Sequence, residues 1–168
     1  DASKSFGVTK ALNGVKFKAN FGEIHAIVGG NGCGKSTLAK VISGVLPLDK
    51  GKVSIMGQSP NSPIEAQRAG IATVFQEVMI AEEATVYENL FIGYDSFFGK
   101  KLAHRERVEK AASIMLELSG EFVDPYTIAS QVSLGMKAWI TIGRAFLRNP
   151  KVLILDESSA ALDFDSTE

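Results

Sequence analysis

The stretch of sequence that decides the fold covers residues 29–37 and reads Gly29-Gly30-Asn31-Gly32-Cys33-Gly34-Lys35-Ser36-Thr37. It satisfies G-x-x-x-x-G-K-[ST], the pattern of a phosphate-binding loop. An apolar run at 24–28 precedes it and the run 38–43 follows it, which predicts the order strand, glycine loop, helix. Glycines allow a tight turn, successive N–H groups form an anion nest, and a helix N-terminus adds partial positive charge. The stretch therefore predicts a polyphosphate site.

The side chains at the end of the loop have expected roles in binding a nucleotide with Mg²⁺. Lys35 reaches the β- and γ-phosphates, the Ser36 hydroxyl ligates Mg²⁺, and Thr37 contacts the α-phosphate. Cys33 is expected to bind through its N–H, with its small size as the reason for its presence. A reactive thiol is the alternative. A chance glycine-rich turn is the alternative for the whole loop, and the flanking strand and helix patterns argue against it.

Composition limits the function classes. The chain has 168 residues, 45% hydrophobic and 22% charged, which is enough for one domain with a sizeable core. The net charge of −1 gives no sign of nucleic-acid binding. No apolar run could span a bilayer, and no secretory pattern is present. Cys33 is the single cysteine, which fits a reducing compartment. Since the chain begins without Met and stops soon after an acidic strand end, we expect a C-terminally truncated domain.

Periodicity predicts strands alternating with helices before a helical insertion. We expect strands at 15–19, 24–28, 52–56, 71–75 and 152–155, the last of them buried. Helices are expected from Lys35 to near Gly44 and at 64–69, 105–118 and 137–147. Thr85 and Glu88 predict a capping box at the start of a further helix. We divide the chain into a catalytic core with a β-subdomain, 1–79 and 148–168, and a helical subdomain, 80–147.

A second group of functional residues lies at the end of the last predicted strand. Asp156 and Glu157 follow the apolar run 152–155. Asp156 is expected to hold Mg²⁺, and Glu157 to polarise the water that attacks the γ-phosphate. An acidic pair alone is more typical of a solvated strand end. Together with the glycine loop, it predicts a nucleoside triphosphatase.

With these residues in place, the chain resembles the nucleotide-binding domain of an ATP-binding cassette transporter. The features that match, in order, are Phe6, Gln76, the signature at 132–136, the Walker B strand at 152–157 and the D-loop at 160–163. The resemblance covers essentially the whole chain. It implies an α/β fold: a P-loop NTPase (RecA-like) core, an N-terminal antiparallel β-subdomain and an inserted α-helical subdomain.

The resemblance also implies roles for individual residues. Phe6 stacks on adenine, Gln76 senses the γ-phosphate and Mg²⁺, and Ser133 and Gly135 contact the nucleotide of an opposite domain. Taken alone, Phe6 could be a core or edge aromatic, Gln76 a strand end and Ser133 a helix cap. The signature departs from the family because Leu134 replaces a Gly and Met136 replaces the Gln. Outside the signature, Ser158 replaces the usual Pro after Glu157. We therefore expect the isolated fragment to bind ATP·Mg²⁺ weakly and to hydrolyse little.

Three stretches, 22–26, 43–45 and 62–77, narrow the resemblance to monosaccharide importers, whose long chain carries two ATPase domains in tandem. This chain is similar to the first. The resemblance implies an ATPase on the cytoplasmic face of the membrane, peripheral to it. Implied partners are a second nucleotide-binding domain in the same chain, transmembrane permease subunits and, indirectly, a periplasmic or extracellular sugar-binding protein, with no nucleic acid. The alternatives are a non-transport member of the class or a regulatory nucleotide-binding module with a degenerate trans site.

The two histidines and an aromatic cluster have no assigned role in these motifs. His25 lies in an apolar run and is expected to be a core histidine, whereas His104 is expected on a solvated helix face. An aromatic cluster is expected to be either an apolar docking surface or part of the subdomain core; its members are Phe91, Tyr94, Phe97 and Phe98.

Overall fold

A computed structural model describes residues 1–94 and 102–156 of the chain. The chain divides into two compact units, Asp1–Thr73 and Val74–Glu168. Each unit is described separately below. The fold mixes antiparallel strands with helices, as the α/β pattern predicts.

The first unit opens with an antiparallel hairpin. Strand β1, Ala2–Phe6, pairs with β2, Thr9–Val15, through Gly7, whose φ of 58° suits the tight turn. Asp49 holds the hairpin from the side, since its carboxylate accepts from Lys4 Nζ at 2.9 Å and from the Ser5 N–H at 2.7 Å. The predicted N-terminal antiparallel β-region is confirmed.

Helix α1, Lys35–Ile42, and helix α2, Pro63–Arg68, follow in the same unit. The first ends where predicted, with Ser43 as its C-cap and Gly44 at a φ of 73°. Ser62 caps α2 by accepting the Glu65 N–H at 3.3 Å, and proline stands at the start of the helix. Strand β3, Ile71–Val74, is buried as expected and ends at the first residue of the second unit.

Three strand predictions in this unit are wrong. β2 ends at Val15, the segment 24–28 is not a strand, and 52–56 contributes only an isolated bridge between Ile55 and Gln58. A segment with an alternating pattern forms a strand only where a second strand supplies hydrogen bonds. Among the described residues the segment 24–28 has no such neighbour, and Ile24 is 100% exposed.

His25 lies in this exposed segment, and the expectation that it is a core histidine is wrong. It is exposed, and its Nε2 lies 2.8 Å from Glu23 Oε2. Glu23 also accepts from the Asn20 N–H and amide, and these contacts, followed by the one with His25, lower the pKa of its carboxyl to about 2. His25 is therefore not a core residue.

The second unit is built on three helices, α3, Val86–Phe91, α4, His104–Ser119, and α5, Leu134–Phe146. They pack on one another around one apolar core, which consists of Val86, Leu90, Phe91, Ala111, Met115, Met136, Ile140 and Leu147. The capping box is confirmed, because Thr85 accepts the Glu88 N–H and Glu88 accepts the Thr85 N–H. A 3-10 turn, Ala129–Gln131, precedes α5.

The core decides between the two interpretations of the aromatic cluster. Phe91 is buried in it, and Tyr94 packs against it with the two ring centroids 5.0 Å apart. These two residues thus belong to the subdomain core, while Phe97 and Phe98 lie outside the described residues. His104 is exposed as expected, at the start of α4, with its Nε2 3.1 Å from the Tyr126 hydroxyl.

Strand β4, Val152–Leu155, forms where predicted but is not buried. Val152 is 38% exposed and Leu155 is 53% exposed. The expectation that this strand is buried is therefore wrong. In the second unit the pairing is carried by Val74, whose carbonyl accepts the Asp156 N–H at 2.9 Å.

Candidate functional site

Backbone geometry gives the glycine loop its shape. Gly32 and Gly34 have φ values of 78° and 99°, a region that side chains with a Cβ adopt at a cost. Gly34 is the N-cap of α1, and a Cβ placed on it would collide with the carbonyl of Ala11. A Cβ on Gly29 would lie 2.5 Å from the Cys33 Sγ. The loop thus requires glycine for conformation at Gly32 and Gly34 and for space at Gly34, whereas at Gly29 the Cys33 side chain would have to move.

Lys35 closes the loop. Its Nζ donates to the carbonyls of Gly29 and Gly30 at 3.0 and 3.2 Å, across five to six residues of chain. The first helical hydrogen bond is from the Leu38 N–H to the Gly34 carbonyl at 2.9 Å. Residues 29–33 are exposed, while Ser36 and Thr37 are partly buried in the first turn. The loop therefore places a cation and a helix N-terminus next to one another.

The charge of this helix start favours an anion. No side chain caps α1, and its first turn carries no acidic residue. The macrodipole of the helix and the Lys35 ammonium then add at the same place. The donor set fits a polyphosphate, and residues 29–37 are brought together as predicted.

Phe6 ends β1 in the same unit. Its side chain is 49% exposed, and Lys4 Nζ lies 5.9 Å from the ring centroid. The core interpretation of Phe6 is therefore wrong. The ring is accessible, and its contact with adenine remains a prediction.

The second unit holds Gln76 and Asp156. Gln76 is exposed and follows β3 by two residues, and Asp156 is buried directly after β4. The hydrogen bond between the Asp156 N–H and the Val74 carbonyl fixes both strand ends near one another. Glu157, Ser158 and the D-loop at 160–163 lie outside the described residues.

The signature residues begin α5. Ser133 is its N-cap, with its Oγ accepting the Met136 N–H at 3.1 Å, so the helix-cap interpretation is confirmed. Gly135 and Met136 are buried in the first turn, and Leu134 is 56% exposed. The degenerate signature thus presents an apolar side chain beside the capping serine.

Sequence reasoning missed two polar residues of this unit, Arg144 and Asn89, that hydrogen-bond to backbone groups in its interior. Arg144, on α5, donates from Nε to the Asn89 carbonyl at 2.8 Å and from Nη1 to the Met79 carbonyl at 3.0 Å. Burial lowers the pKa of its guanidinium, and the nearby Arg148 lowers it further. Asn89 is completely buried in α3, and neither helix marks these residues in sequence, because α3 also carries Glu88 and α5 also carries Lys137.

The described residues contain neither a cluster of metal-ligating side chains nor a membrane-spanning helix. Across 1–94 and 102–156, His, Cys, Asp and Glu residues form no group of three or more that could hold a metal ion. Over the same residues, the helices are too short or too polar to cross a membrane.

A glycine loop that sets a lysine beside an uncapped helix start defines the class of P-loop nucleotide-binding proteins. Residues 12–160 match the family described as ABC transporter. The chain therefore belongs to the ABC transporter family.

Individual relatives agree with the family match. The chain is 40% identical over 163 residues to the ribose import ATP-binding protein RbsA of Geobacillus kaustophilus, covering 95% of this chain and 33% of that protein. It is 42% identical over 164 residues to the xylose import ATP-binding protein XylG of the same organism, covering 95% and 32%. The chain thus spans about a third of the length of these relatives.

A solved dimeric structure of a bacterial ABC transporter cassette has the same fold. The TM-score is 0.83 at 25% identity, over 97% of this chain and 74% of that one.

Proposed function

We propose that this chain is the ATP-binding and ATP-hydrolysing domain of an importer for monosaccharides. The observation that carries the proposal is the glycine loop, where Lys35 and the uncapped start of α1 meet. The names of the ribose and xylose relatives support the solute class. Their ATP-binding function supports the nucleotide.

In this proposal the loop binds the phosphates. The N–H groups of 29–34 and the Lys35 ammonium balance their negative charge, and Thr37 contacts the α-phosphate. Phe6 stacks on the adenine, a contact whose loss would cost about 1–3 kcal/mol. The fit rests on the positive-φ glycines and on the absence of acidic residues in the first turn of α1.

Mg²⁺, when bound, would neutralise charge that develops on the phosphates during transfer. The Ser36 hydroxyl, the Gln76 amide and the Asp156 carboxylate are the oxygen donors that would hold it, and hard cations prefer such donors. Glu157 would accept a proton from the attacking water as general base. Gln76 would in addition report the state of the γ-phosphate to the rest of the second unit.

A second nucleotide-binding domain would complete the active site. Ser133 and the N–H of Gly135 would contact its γ-phosphate from the start of α5. The dimeric cassette with the same fold supports this arrangement. Since Leu134 exposes an apolar side chain at this position, we expect a weaker contact than a glycine would allow.

The assembly would lie at the cytoplasmic face of the membrane. ATP-driven closure of the two domains and reopening after hydrolysis would move transmembrane permease subunits. A sugar-binding protein outside the membrane would deliver the solute. The family assignment and the importer relatives support these partners.

A matched pair of lysine variants tests nucleotide binding in the full-length protein. Lys35→Ala should reduce the affinity for ATP·Mg²⁺ at least about hundredfold in calorimetric titration, because a charge-assisted contact is lost. Lys40→Ala removes the same charge from an exposed position of the same helix and should stay within about twofold. Equal affinities for all three proteins would refute the loop as the binding site.

Uptake of labelled pentoses and hexoses tests the solute class. Cells that produce the wild-type protein should accumulate a monosaccharide, and cells with Lys35→Ala should not. If ATP binding is normal but uptake of no monosaccharide depends on the protein, the sugar assignment alone is wrong.

A further inference from the structure

The segment that carries Gln76 is fixed at both ends. Upstream, the Val74 carbonyl accepts the Asp156 N–H at 2.9 Å. Downstream, the Met79 carbonyl accepts Arg144 Nη1 at 3.0 Å. Four residues, 75–78, lie between these points, and Gln76 is the second of them. We call residues 75–78 the Gln76 tether.

Arg144 binds more than the end of the tether. Its Nε donates to the Asn89 carbonyl at 2.8 Å, and its Nη2 lies 3.4 Å from Asn89 Oδ1. One planar guanidinium thus joins α5, α3 and the tether. Its fixed fork of donors reaches three acceptors, a geometry that a lysine ammonium does not share.

Asn89 extends the same network to the chain that follows the tether. Its Oδ1 accepts the Ala81 N–H at 2.9 Å, and its Nδ2 donates to the carbonyls of Ala81 and Thr85 at 2.9 and 3.1 Å. The side chain is completely buried. A buried, satisfied amide holds one arrangement because every alternative leaves polar groups unpaired.

A third connection reaches the first turns of α5. Lys137 Nζ lies 2.9 Å from Glu82 Oε2, and the Ser130 N–H donates to the Glu82 carbonyl at 3.0 Å. The Ala129 N–H donates to the Ala84 carbonyl at 2.9 Å. Residues 79–85 are therefore attached both to the C-terminal half of α5 and to the chain at its signature end.

We propose that Arg144 is a positioning residue for Gln76: by holding the Met79 carbonyl, it fixes the tether to the helix that starts at signature residue Ser133. This inference rests on the proposed role of Gln76 as a ligand for Mg²⁺.

Arg148 provides the matched control. It lies just beyond the C-terminal end of α5, and its Nη2 donates to the carbonyls of Ile92 and Gly93 at 3.2 and 3.3 Å. It is also partly buried, and burial lowers the pKa of its guanidinium as it does for Arg144. It binds backbone beyond α3 and makes none of the contacts to residues 79–85 described above. A merely structural arginine would behave alike at both positions.

Amide hydrogen exchange in the nucleotide-free, full-length protein measures the positioning directly. Arg144→Lys should accelerate exchange of the Ala81 amide about tenfold, because its acceptor Asn89 loses the arginine contact. Arg148→Lys should leave that amide unchanged. Unchanged exchange in Arg144→Lys overturns the proposal, and so does equal acceleration by both variants throughout α3–α5.

The Mg²⁺ dependence of ATP hydrolysis provides the second readout. Arg144→Lys and Gln76→Ala should each raise the Mg²⁺ concentration for half-maximal rate about tenfold, as expected for the loss of support to a ligand. Arg148→Lys should match the wild type. If Gln76→Ala shifts the dependence and Arg144→Lys does not, the positioning role alone is wrong. If Gln76→Ala has no effect, the Mg²⁺ role of Gln76 fails and the inference fails with it.

Discussion

The glycine loop and the core of the second unit use polar groups in opposite ways. In the loop, exposed main chain is shaped by glycines with φ of 78° and 99°, and Lys35 binds the loop's own carbonyls. In the second unit, buried Asn89 and partly buried Arg144 bind carbonyls of residues 79–89. The loop offers main-chain donors to a ligand, whereas the core uses side-chain donors to hold its own backbone.

This difference explains how each region tolerates change. A ligand bound by main chain depends on backbone conformation, so the sensitive positions are glycines. A backbone held by side chains depends on complete hydrogen bonding, so the sensitive positions are buried polar residues. Substitutions in the two regions test this contrast, from the largest expected effect to the smallest.

The largest effect, on the rate of ATP hydrolysis, is expected for Glu157, which lies outside the glycine loop. Glu157→Gln should lower the rate of ATP hydrolysis about 10²–10⁴-fold, because the proposed general base is lost, while affinity for ATP is retained. Glu117→Gln makes the same change on an exposed position of α4 and should hydrolyse ATP like the wild type. Single-turnover rates and binding titrations check both. Wild-type turnover in Glu157→Gln would contradict the assigned base.

The next largest effect, on the stability of the second unit, is expected for the buried hydrogen-bond network of Asn89. Asn89→Ala should destabilise the second unit by about 3 kcal/mol, because several backbone groups and Arg144 lose their partner. Urea unfolding followed by fluorescence of Trp139, which packs against this core, measures it. Asn13→Ala, at an exposed position of β2, should cost under about 0.5 kcal/mol. Similar costs for the two variants would show that burial does not decide the effect.

Local signals in the sequence predicted much of this molecule. The loop pattern placed residues 29–37 and helix α1 correctly, and the capping box predicted the start of α3. Helical spacing of apolar residues over 105–118 predicted α4. These features depend on residues within about one helical turn of each other, so neighbouring sequence contains the information.

The failures arise where distant chain decides the outcome. The run 24–28 has a strand pattern, but a strand forms only where another strand pairs with it. Arg144 binds Met79 across 65 residues of chain, and its acceptors are carbonyls that every residue has. No residue type marks such acceptors, so the network around Gln76 could not be inferred from spacing.

A smaller effect tests the conformational requirement of the loop. Gly34→Ala should destabilise α1 by about 2 kcal/mol or more, because the left-handed conformation is strained and a Cβ meets the Ala11 carbonyl. Gly32→Ala has similar strain but open space around its Cβ, so about 1 kcal/mol is expected. Amide exchange of α1 reports both values. If Gly32→Ala is the more harmful, space at Gly34 is not the limiting factor.

The smallest effect tests the helix cap of the second unit and its dependence on pH. Hydrogen bonds from the Thr85 hydroxyl and N–H, followed by the charge of His104, hold the pKa of Glu88 below its ordinary 4.5. Because the folded-state pKa is the lower one, the stabilisation is present above the unfolded value and is lost as pH falls through the folded pKa.

Thr85→Ala should therefore lower stability by about 1 kcal/mol at pH 7, and it should flatten the loss of stability below pH 4.5. Thr85→Ser keeps the hydroxyl that donates to Glu88 at 2.7 Å and should restore both the stability and its pH dependence. Urea unfolding at several pH values, again followed by Trp139, distinguishes the variants. An unchanged acid profile in Thr85→Ala would mean that Glu88 contributes to stability independently of the cap, and the contrast between side-chain support in this unit and main-chain binding in the loop would then not extend to the start of α3.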